Sequence, residues 1–267
     1  MEDHSQWISL TDVLAARKRI SPFIVRTPLH RHLGLETFLG TETYVKHENH
    51  QKLGAFKVRG GVNMVSQMSK DELEKGIATA SSGNHGQSIA YAAGMFGAKC
   101  YVAVPKGANP GKVQSMRNMG AKVIEHGAHF GMANDHIINL SKEKGYRYIH
   151  AVKDTVLYQG VGTYTLEILE DLPGVDTIIV PVGGGSGACS TAVVAKSVNP
   201  KIEIIGVQAD SAPAVYDSWH AGSLKSARMD SIAEGLATDA AYEPALSMLR
   251  DLSVSYTHLT LPTNREV

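Results

Sequence analysis

The sequence lacks an excess of charge of either sign, since 26 lysine and arginine residues balance 26 aspartate and glutamate residues. Without a net positive field the chain has no electrostatic means of recruiting nucleic acid or an anionic lipid surface. Long apolar runs are also lacking, because runs such as residues 177–182 are far too short to span a bilayer. Residues 1–4 have neither the basic nor the apolar region of a signal peptide. These absences predict no nucleic-acid partner, no membrane association and a cytoplasmic location.

Cysteine is scarce, with Cys100 and Cys189 as the 2 cysteines of the chain. The first falls in a predicted strand and the second in a predicted helix. Neither has metal-ligand spacing with the other or with a pair of histidines. We therefore expect two buried, reduced thiols, as is usual for a cytoplasmic protein.

Ordinary globular composition accounts for the rest of the chain, with 43% apolar and 19% charged residues. A length of 267 residues allows two modest domains or one large one. From Gly76 onward predicted strands and helices alternate, and residues 177–182 and 202–208 are the continuous apolar strands of a sheet covered on both faces. This alternation predicts an α/β fold with parallel sheets flanked by helices.

The predicted strands are residues 43–46, 77–80, 100–104, 123–125, 148–150, 177–182 and 202–208. The predicted helices are residues 10–20, 33–39, a helix beginning at Lys57, and residues 84–96, 110–119, 130–144, 156–169 and 186–197. The last stretch, residues 253–267, has neither a helical period nor a clear place in the alternation. We expect it to be unrelated sequence joined to a truncated gene, and the alternative is a genuine edge strand and tail.

One short stretch, residues 54–61, places Lys57 between an aromatic residue and small neighbours at the predicted start of a helix. If the amine is buried there, its charged form is disfavoured, its pKa falls and it becomes nucleophilic near neutral pH. Such an amine forms a Schiff base with an aldehyde. The alternative is a solvated lysine at a helix N-terminus, as most lysines are.

A second motif, residues 79–87, lies between a predicted strand and a predicted helix. Its small and polar residues present backbone N–H groups and hydroxyls that suit a carboxylate or a phosphate. Asn84 offers a hydrogen bond to a ring hydroxyl, and Ser82 offers an exchangeable proton. The alternative is a simple N-cap turn, in which Ser81 or Ser82 caps the helix and His85 faces solvent.

A third motif, residues 181–188, is a glycine-rich loop that follows a buried strand and opens a helix. Glycines allow the backbone to approach an anion closely, and the helix N-terminus supplies partial positive charge. Gly183, Gly185 and Ala188 also satisfy a dinucleotide-binding pattern, with Asp210 after the next strand. The loop is therefore a phosphate site for one of two cofactor classes, or a purely structural turn.

Taken together, the Lys57 stretch, residues 81–87 and the glycine loop resemble the fold-type II pyridoxal-phosphate enzymes, specifically the threonine/serine dehydratases and serine racemase. Residues 232–237 also resemble the segment that this family places beside its cofactor. The resemblance covers roughly residues 10–252. It implies a two-domain architecture similar to the tryptophan synthase β chain, with pyridoxal 5'-phosphate in the cleft.

The resemblance also implies roles for individual residues. Lys57 would hold the cofactor as an internal aldimine and would then remove the α-proton of the amino acid, and the β-hydroxyl would leave. The products would be a 2-oxo acid and ammonia. Ser82 matches the position that serves as the opposite-face acid or base in serine racemase. The implied cofactor-binding residues are Phe56, Lys57, Asn84, Gly183, Gly184, Gly185, Ser186, Gly187 and Gly235, and the implied substrate-binding residues are Ser81, Ser82, Asn84 and His85.

Two departures from the family pattern bear on the chemistry. Ser186 replaces a glycine of the usual glycine-only loop, and its hydroxyl remains able to reach a phosphate oxygen. Where some members carry ligands of a divalent cation, this chain has Gln208 and Ala214, which are poor ligands for a hard cation. We therefore expect no metal. The serine or threonine that the family places against the pyridine nitrogen has no counterpart before the tail, so we expect the chain to lack its C-terminal part.

The predicted domain division follows the same resemblance. Residues 1–76 and 149–252 would form a large cofactor-binding domain, and residues 77–148 would form a small domain. A small-molecule amino-acid substrate and a homodimer are what the family implies. Three other activities stay open: a serine racemase, an NAD-dependent oxidoreductase that uses residues 183–188, and an amino-acid sensor without catalysis.

Overall fold

The computed structural model describes residues 8–252 and the backbone of residues 255–259. Its helices are α1 (Leu10–Ile20), α2 (Leu33–Leu39), α3 (Lys57–Val65), α4 (Lys70–Lys75), α5 (Asn84–Met95), α6 (Pro110–Asn118), α7 (Phe130–Lys144), α8 (Val156–Val161), α9 (Thr163–Asp171), α10 (Ser186–Val198), α11 (Ala214–Ala221) and α12 (Ala245–Asp251). Its strands are β1 (Leu29–Arg31), β2 (Tyr44–Lys46), β3 (Ile77–Ala80), β4 (Cys100–Val104), β5 (Lys122–Glu125), β6 (Arg147–Tyr148), β7 (Thr177–Pro181), β8 (Glu203–Ala209) and β9 (Ser255–Leu259).

A parallel sheet with the strand order β5-β4-β3-β6 lies within residues 77–148, the range predicted for the small domain. The central strand β3 is buried along its whole length, as its apolar composition predicts. Helix α5 follows β3 and packs near the sheet, so its N-terminus lies at the carboxyl end of the central strand. Ligands of open α/β sheets bind at this edge.

A second parallel sheet has the strand order β7-β8-β9 and carries α10 directly after β7. All residues of α10 from Ser186 to Ala195 are buried, so this helix forms part of the core. Both sheets are parallel and flanked by helices, which confirms the predicted α/β fold class.

The exclusion of residues 253–267 from the fold was wrong for five of them. The backbone of Ser255–Leu259 forms β9, which pairs in parallel with Ile205–Ala209 of β8. This is the edge strand that the alternative interpretation held. A strand at the edge of a sheet is fixed mainly by backbone hydrogen bonds to one neighbour, so a weak side-chain pattern does not prevent it. The other residues of this stretch lie outside the described part.

Most predicted boundaries agree with the structure to within one or two residues, but the predicted helix 156–169 is two helices, α8 and α9. They meet at Gly162, where an added Cβ would lie 3.0 Å from a methyl group of Val13 on α1. A side chain at the junction would therefore press on α1, and Val13 would have to shift to admit it. Within residues 8–252 and 255–259, none of the helices combines the length and the apolarity that crossing a bilayer requires.

Candidate active site

Lys57 is the first residue of α3, and its amine faces the start of α10. The Nζ atom donates a hydrogen bond to Ser186 Oγ at 2.6 Å and lies 5.4 Å from the centre of the Phe56 ring. The residue keeps partial exposure to the cleft, but protein atoms surround its amino group. This desolvation lowers the pKa of Lys57 from 10.5 to about 8. The amine is therefore less solvated than that of an ordinary surface lysine, and more of it is uncharged near neutral pH.

The glycine loop opens α10 through a backbone conformation that requires glycine. Gly185 has a φ of 98°, in the left-handed region, and among the described residues no side chain caps the helix. A Cβ on Gly183 would lie 2.5 Å from the carbonyl oxygen of Gly235, so the two backbones touch. The first N–H groups of α10 thus remain available to an anion, in a field of partial positive charge.

Helix α5 also begins without a side-chain cap within the described part of the chain, since Gly83 is its N-cap residue. Ser81 Oγ accepts a hydrogen bond from the Gly83 N–H at 3.1 Å and does not reach the helix. The interpretation of Ser81 or Ser82 as a helix cap is therefore wrong. The first N–H groups of α5 are free to bind a carboxylate or a phosphate.

His85 is 5% exposed, which contradicts the expectation of a solvent-facing side chain in the simple-turn alternative. Its Nε2 atom lies 3.0 Å from Thr79 Oγ1, which itself donates to the carbonyl oxygen of Ile149 at 2.8 Å. Because the Thr79 hydroxyl proton is engaged, His85 must donate through Nε2–H, and its Nδ1 is left as an acceptor. Burial, with the nearby charge of Lys57, lowers the pKa of His85 to about 3, so the ring is neutral.

The structure brings several of the predicted cofactor positions into contact with one another. The Phe56 ring contacts the α10 start, where an added Cβ on Gly187 would lie 3.4 Å from its Cζ atom. The amide nitrogen of Asn84 would lie 3.8 Å from a Cβ on Gly235. The Lys57 amine thus lies beside Ser186, which is 129 residues away in sequence. The assignments of Ser81, Ser82, Asn84 and His85 to a substrate stay predictions.

An ion cluster behind the Lys57 helix was missed by the sequence analysis. It consists of Lys46, Glu48, Arg59 and Glu167, which we call the α3 ion cluster. Arg59 is fully buried and donates to Glu48 at 2.8 Å and to Glu167 at 2.7 Å, while Lys46 Nζ lies 2.6 Å from Glu167. Burial acts to lower the pKa of Arg59, but its hydrogen bonds to the two carboxylates outweigh burial and raise it. Two cations and two anions balance, and they fix α3 two residues beyond Lys57.

Gln208 caps a helix at the position where the family pattern places a cation ligand in some members. Its side chain is fully buried, and its Oε1 atom accepts from the N–H groups of Val215 and Tyr216 at 3.1 and 2.9 Å. The amide oxygen therefore caps the start of α11. Within the described residues, no group of three or more His, Cys, Asp or Glu side chains is arranged to hold a metal ion. The expectation of no metal stays a prediction.

The chain belongs to a family of pyridoxal-phosphate dependent enzymes, because the model of that family matches residues 20–261. This is the cofactor class that the Lys57 stretch and the glycine loop predicted. Curated relatives then give a narrower comparison. An L-threonine ammonia-lyase of Thermotoga maritima is 36% identical over 86% of this chain and 58% of its own length. The L-threonine dehydratase catabolic TdcB of Staphylococcus aureus is 39% identical over 85% of this chain and 66% of its own length. The chain thus spans about 58% to 66% of the length of these two relatives.

Solved structures agree on the fold. The processed form of threonine deaminase isoform 2 from Solanum lycopersicum has a TM-score of 0.89 and 31% identity, over 94% of this chain and 73% of that one. Maize serine racemase has a TM-score of 0.89 and 30% identity, over 94% of this chain and 77% of that one. The architecture of the fold-type II enzymes is therefore present in this chain.

Proposed function

We propose that this protein is a pyridoxal-phosphate-dependent ammonia-lyase that eliminates the β-hydroxyl group of L-threonine or L-serine and releases a 2-oxo acid and ammonia. The observation that carries the proposal is the 2.6 Å contact between Lys57 Nζ and Ser186 Oγ. Because of this contact, the Lys57 amine lies next to the glycine loop that precedes α10. The names of the two curated relatives support the same reaction class.

Three features of the residues around Lys57 suit pyridoxal phosphate. The uncapped start of α10, with the N–H of Ser186, suits a phosphate, the Phe56 ring supplies an apolar wall, and the Asn84 amide suits a ring hydroxyl. The cofactor, when bound, supplies an aldehyde for Lys57 and a ring that withdraws electrons from the substrate α-carbon. Gly235 closes the opposite side of the loop, where its carbonyl meets Gly183.

Lys57 is proposed as the group that removes the α-proton after the substrate amino group has taken its place. With a pKa of about 8, a much larger fraction of the amine is uncharged and able to accept a proton near neutral pH than in an ordinary lysine at 10.5. Burial lowers the pKa and also excludes water from the amine. The amine then holds the abstracted proton at Nζ, hydrogen-bonded to Ser186.

The second motif is proposed as the substrate carboxylate site. The free N–H groups at the start of α5, together with the hydroxyls of Ser81 and Ser82, would receive the two carboxylate oxygens. His85 is neutral and presents an acceptor rather than a charge, so it shapes this site without adding a cation. Asn84 lies between the two sites, close to Gly235.

Serine racemase activity is the second candidate, because Ser82 lies in the motif that serine racemase uses for proton exchange on the opposite face. Substitution of Ser82 by alanine separates the two reactions: racemisation requires the Ser82 hydroxyl, whereas elimination proceeds with Lys57 alone. The dinucleotide interpretation of residues 183–188 leaves the position of Lys57 beside the loop unexplained. We therefore rank an oxidoreductase below both.

The test uses the full chain reconstituted with pyridoxal phosphate. Wild type should gain visible absorbance and release a 2-oxo acid from L-threonine or L-serine, and both signals should be lost in Lys57→Ala. Lys52→Ala is the matched control, since Lys52 is an exposed lysine near the same helix and its amine lies 5.9 Å from the Tyr91 ring. A folded wild-type protein that stays colourless would refute the proposal.

We also propose that two copies associate through α2. None of the residues of this described helix is buried, and Leu33, Phe38 and Leu39 are 69%, 85% and 50% exposed. The charges beside them cancel locally, because Arg31 donates to Glu36 at 2.6 Å, so like charges do not oppose a second copy. Light scattering should give twice the chain mass for wild type and the single mass for Phe38→Asp. An unchanged mass in Phe38→Asp would rule out this face.

A cytoplasmic location is proposed on the two free, buried thiols, Cys100 and Cys189, whose pKa values burial raises. Cell fractionation of a tagged full chain tests it.

A further inference from the structure

The hydroxyl group of Ser186 is the hydrogen-bond partner of the Lys57 amine in the described part of the chain. The bond from Nζ to Oγ measures 2.6 Å, which is short for a nitrogen donor. Both groups stand at the first residue of a helix, Lys57 on α3 and Ser186 on α10. Because two helix N-termini converge here, their partial positive charges act against an ammonium ion, and an uncharged acceptor partly offsets this.

Ser186 is held firmly enough to position another group. It is 4% exposed, and its carbonyl oxygen accepts from Ser190 Oγ at 2.7 Å within α10. The next residue, Gly187, is fixed in turn, since its carbonyl oxygen accepts from Tyr164 OH at 3.1 Å. The hydroxyl therefore has a defined location, with Lys57 as the group that reaches it.

We infer that Ser186 is a positioning residue that holds the free amine of Lys57 in both of its protonation states. A hydroxyl accepts from an ammonium group and donates to a neutral amine, so it remains a partner when the proton moves. A glycine at this place in the loop offers neither bond. The inference rests on the proposed function only for its catalytic consequence, because the contact itself exists without cofactor or substrate.

Two consequences follow for the chain. In the protein without cofactor, Ser186 favours the charged amine and so keeps the pKa of Lys57 from falling further than it does. During turnover, the freed amine returns to a fixed point beside the glycine loop instead of sampling the cleft. A change at Ser186 should therefore alter kcat and its pH profile more than it alters KM for the amino acid.

The decisive experiment measures the titration of one lysine in the protein without cofactor. Competitive labelling with acetic anhydride at a series of pH values, followed by mass spectrometry of the Lys57 peptide, gives the apparent pKa of its amine. In Ser186→Ala and Ser186→Gly this value should fall by about half a pH unit or more, because the hydrogen bond that the charged amine donates is stronger than the one that the neutral amine accepts. Ser186→Thr keeps the hydroxyl and should restore the wild-type value.

Ser190→Ala is the matched control, since it removes a buried hydroxyl that contacts Ser186 but not Lys57. It should leave the titration of Lys57 unchanged. Equal titration curves for wild type, Ser186→Ala and Ser186→Gly would overturn the inference. It would also be overturned if Ser186→Thr and Ser190→Ala both shifted the pKa as much as Ser186→Ala does. Cofactor absorbance, recorded separately, tests the proposed function: its absence in wild type would refute that function and leave the labelling result to decide the role of Ser186.

Discussion

Replacing Lys57 by methionine should stabilise the protein without cofactor at neutral pH. The buried amine has a pKa of about 8 against an ordinary 10.5, so below pH 8 the folded chain carries an ammonium ion in a poorly solvated place. At about 1.4 kcal/mol for each pH unit, this interval corresponds to about 3 kcal/mol of destabilisation. Lys57 keeps partial exposure and the variant loses the bond to Ser186, so we expect a net gain of about 2 kcal/mol.

The sign of the pH dependence makes this prediction specific. Between pH 8 and 10.5 the unfolded chain binds the Lys57 proton and the folded chain does not, so wild-type stability rises with pH in this interval. Lys57→Met lacks this rise, and its advantage should therefore shrink from its full value below pH 8 to little or nothing near pH 10.5. Urea denaturation of both proteins without cofactor, at several pH values, measures it.

Lys70→Met is the control, because the Lys70 side chain is 89% exposed and forms a loose ion pair with Glu74 at 3.9 Å. This variant should track wild type at every pH. A Lys57→Met protein that is less stable than wild type at neutral pH, or a difference that does not change with pH, would refute the burial argument.

Three further predictions test the site and its support. Arg59→Leu should lower the free energy of unfolding by about 3 to 5 kcal/mol, because it leaves the largely buried Glu48 without its cation and Glu167 with Lys46 alone; Arg26→Leu, which breaks exposed pairs with Glu170 and Asp171, should cost about 1 kcal/mol or less in the same denaturation assay. Gly185→Ala should weaken pyridoxal phosphate binding about tenfold in an absorbance titration, because φ is 98° there; Gly222→Ala, with a φ of 72° at the end of α11, should bind the cofactor like wild type. The rate at which the protein without cofactor combines with pyridoxal phosphate should rise with pH and reach half its maximum near the Lys57 pKa of about 8; a flat profile in stopped-flow absorbance would contradict this.

Local patterns in the sequence predicted the fold class and the site because the evidence for them lies within short windows. The helix boundaries Leu10–Ile20 and Phe130–Lys144 were predicted without error, since Ser9 and Gly145 mark their ends. Taken singly, the Lys57 stretch and the glycine loop each left a purely structural interpretation open. Their resemblance to one family then joined them.

What the sequence did not reveal depends on contacts between distant residues. Arg59 meets Glu48 and Glu167, which lie 11 and 108 residues away, so no window contains the cluster. The only available signal was an arginine on a helix whose neighbours Val58 and Val62 predict a buried face. The contact between Thr79 and His85 is a different case, because the two residues are only 6 positions apart; predicting it required the shape of the turn between β3 and α5.

The α3 ion cluster joins segments that are far apart in sequence, and this has a consequence for the order in which the chain folds and becomes able to bind its cofactor. Its cations and anions come from β2, the turn after it, α3 and α9, so the cluster is complete only when Glu167, 108 residues from Arg59, has packed against α3. Closing such a long loop is slow compared with forming one helix. We therefore expect the position of the Lys57 helix to be fixed late in folding, so that a partly folded chain cannot bind pyridoxal phosphate.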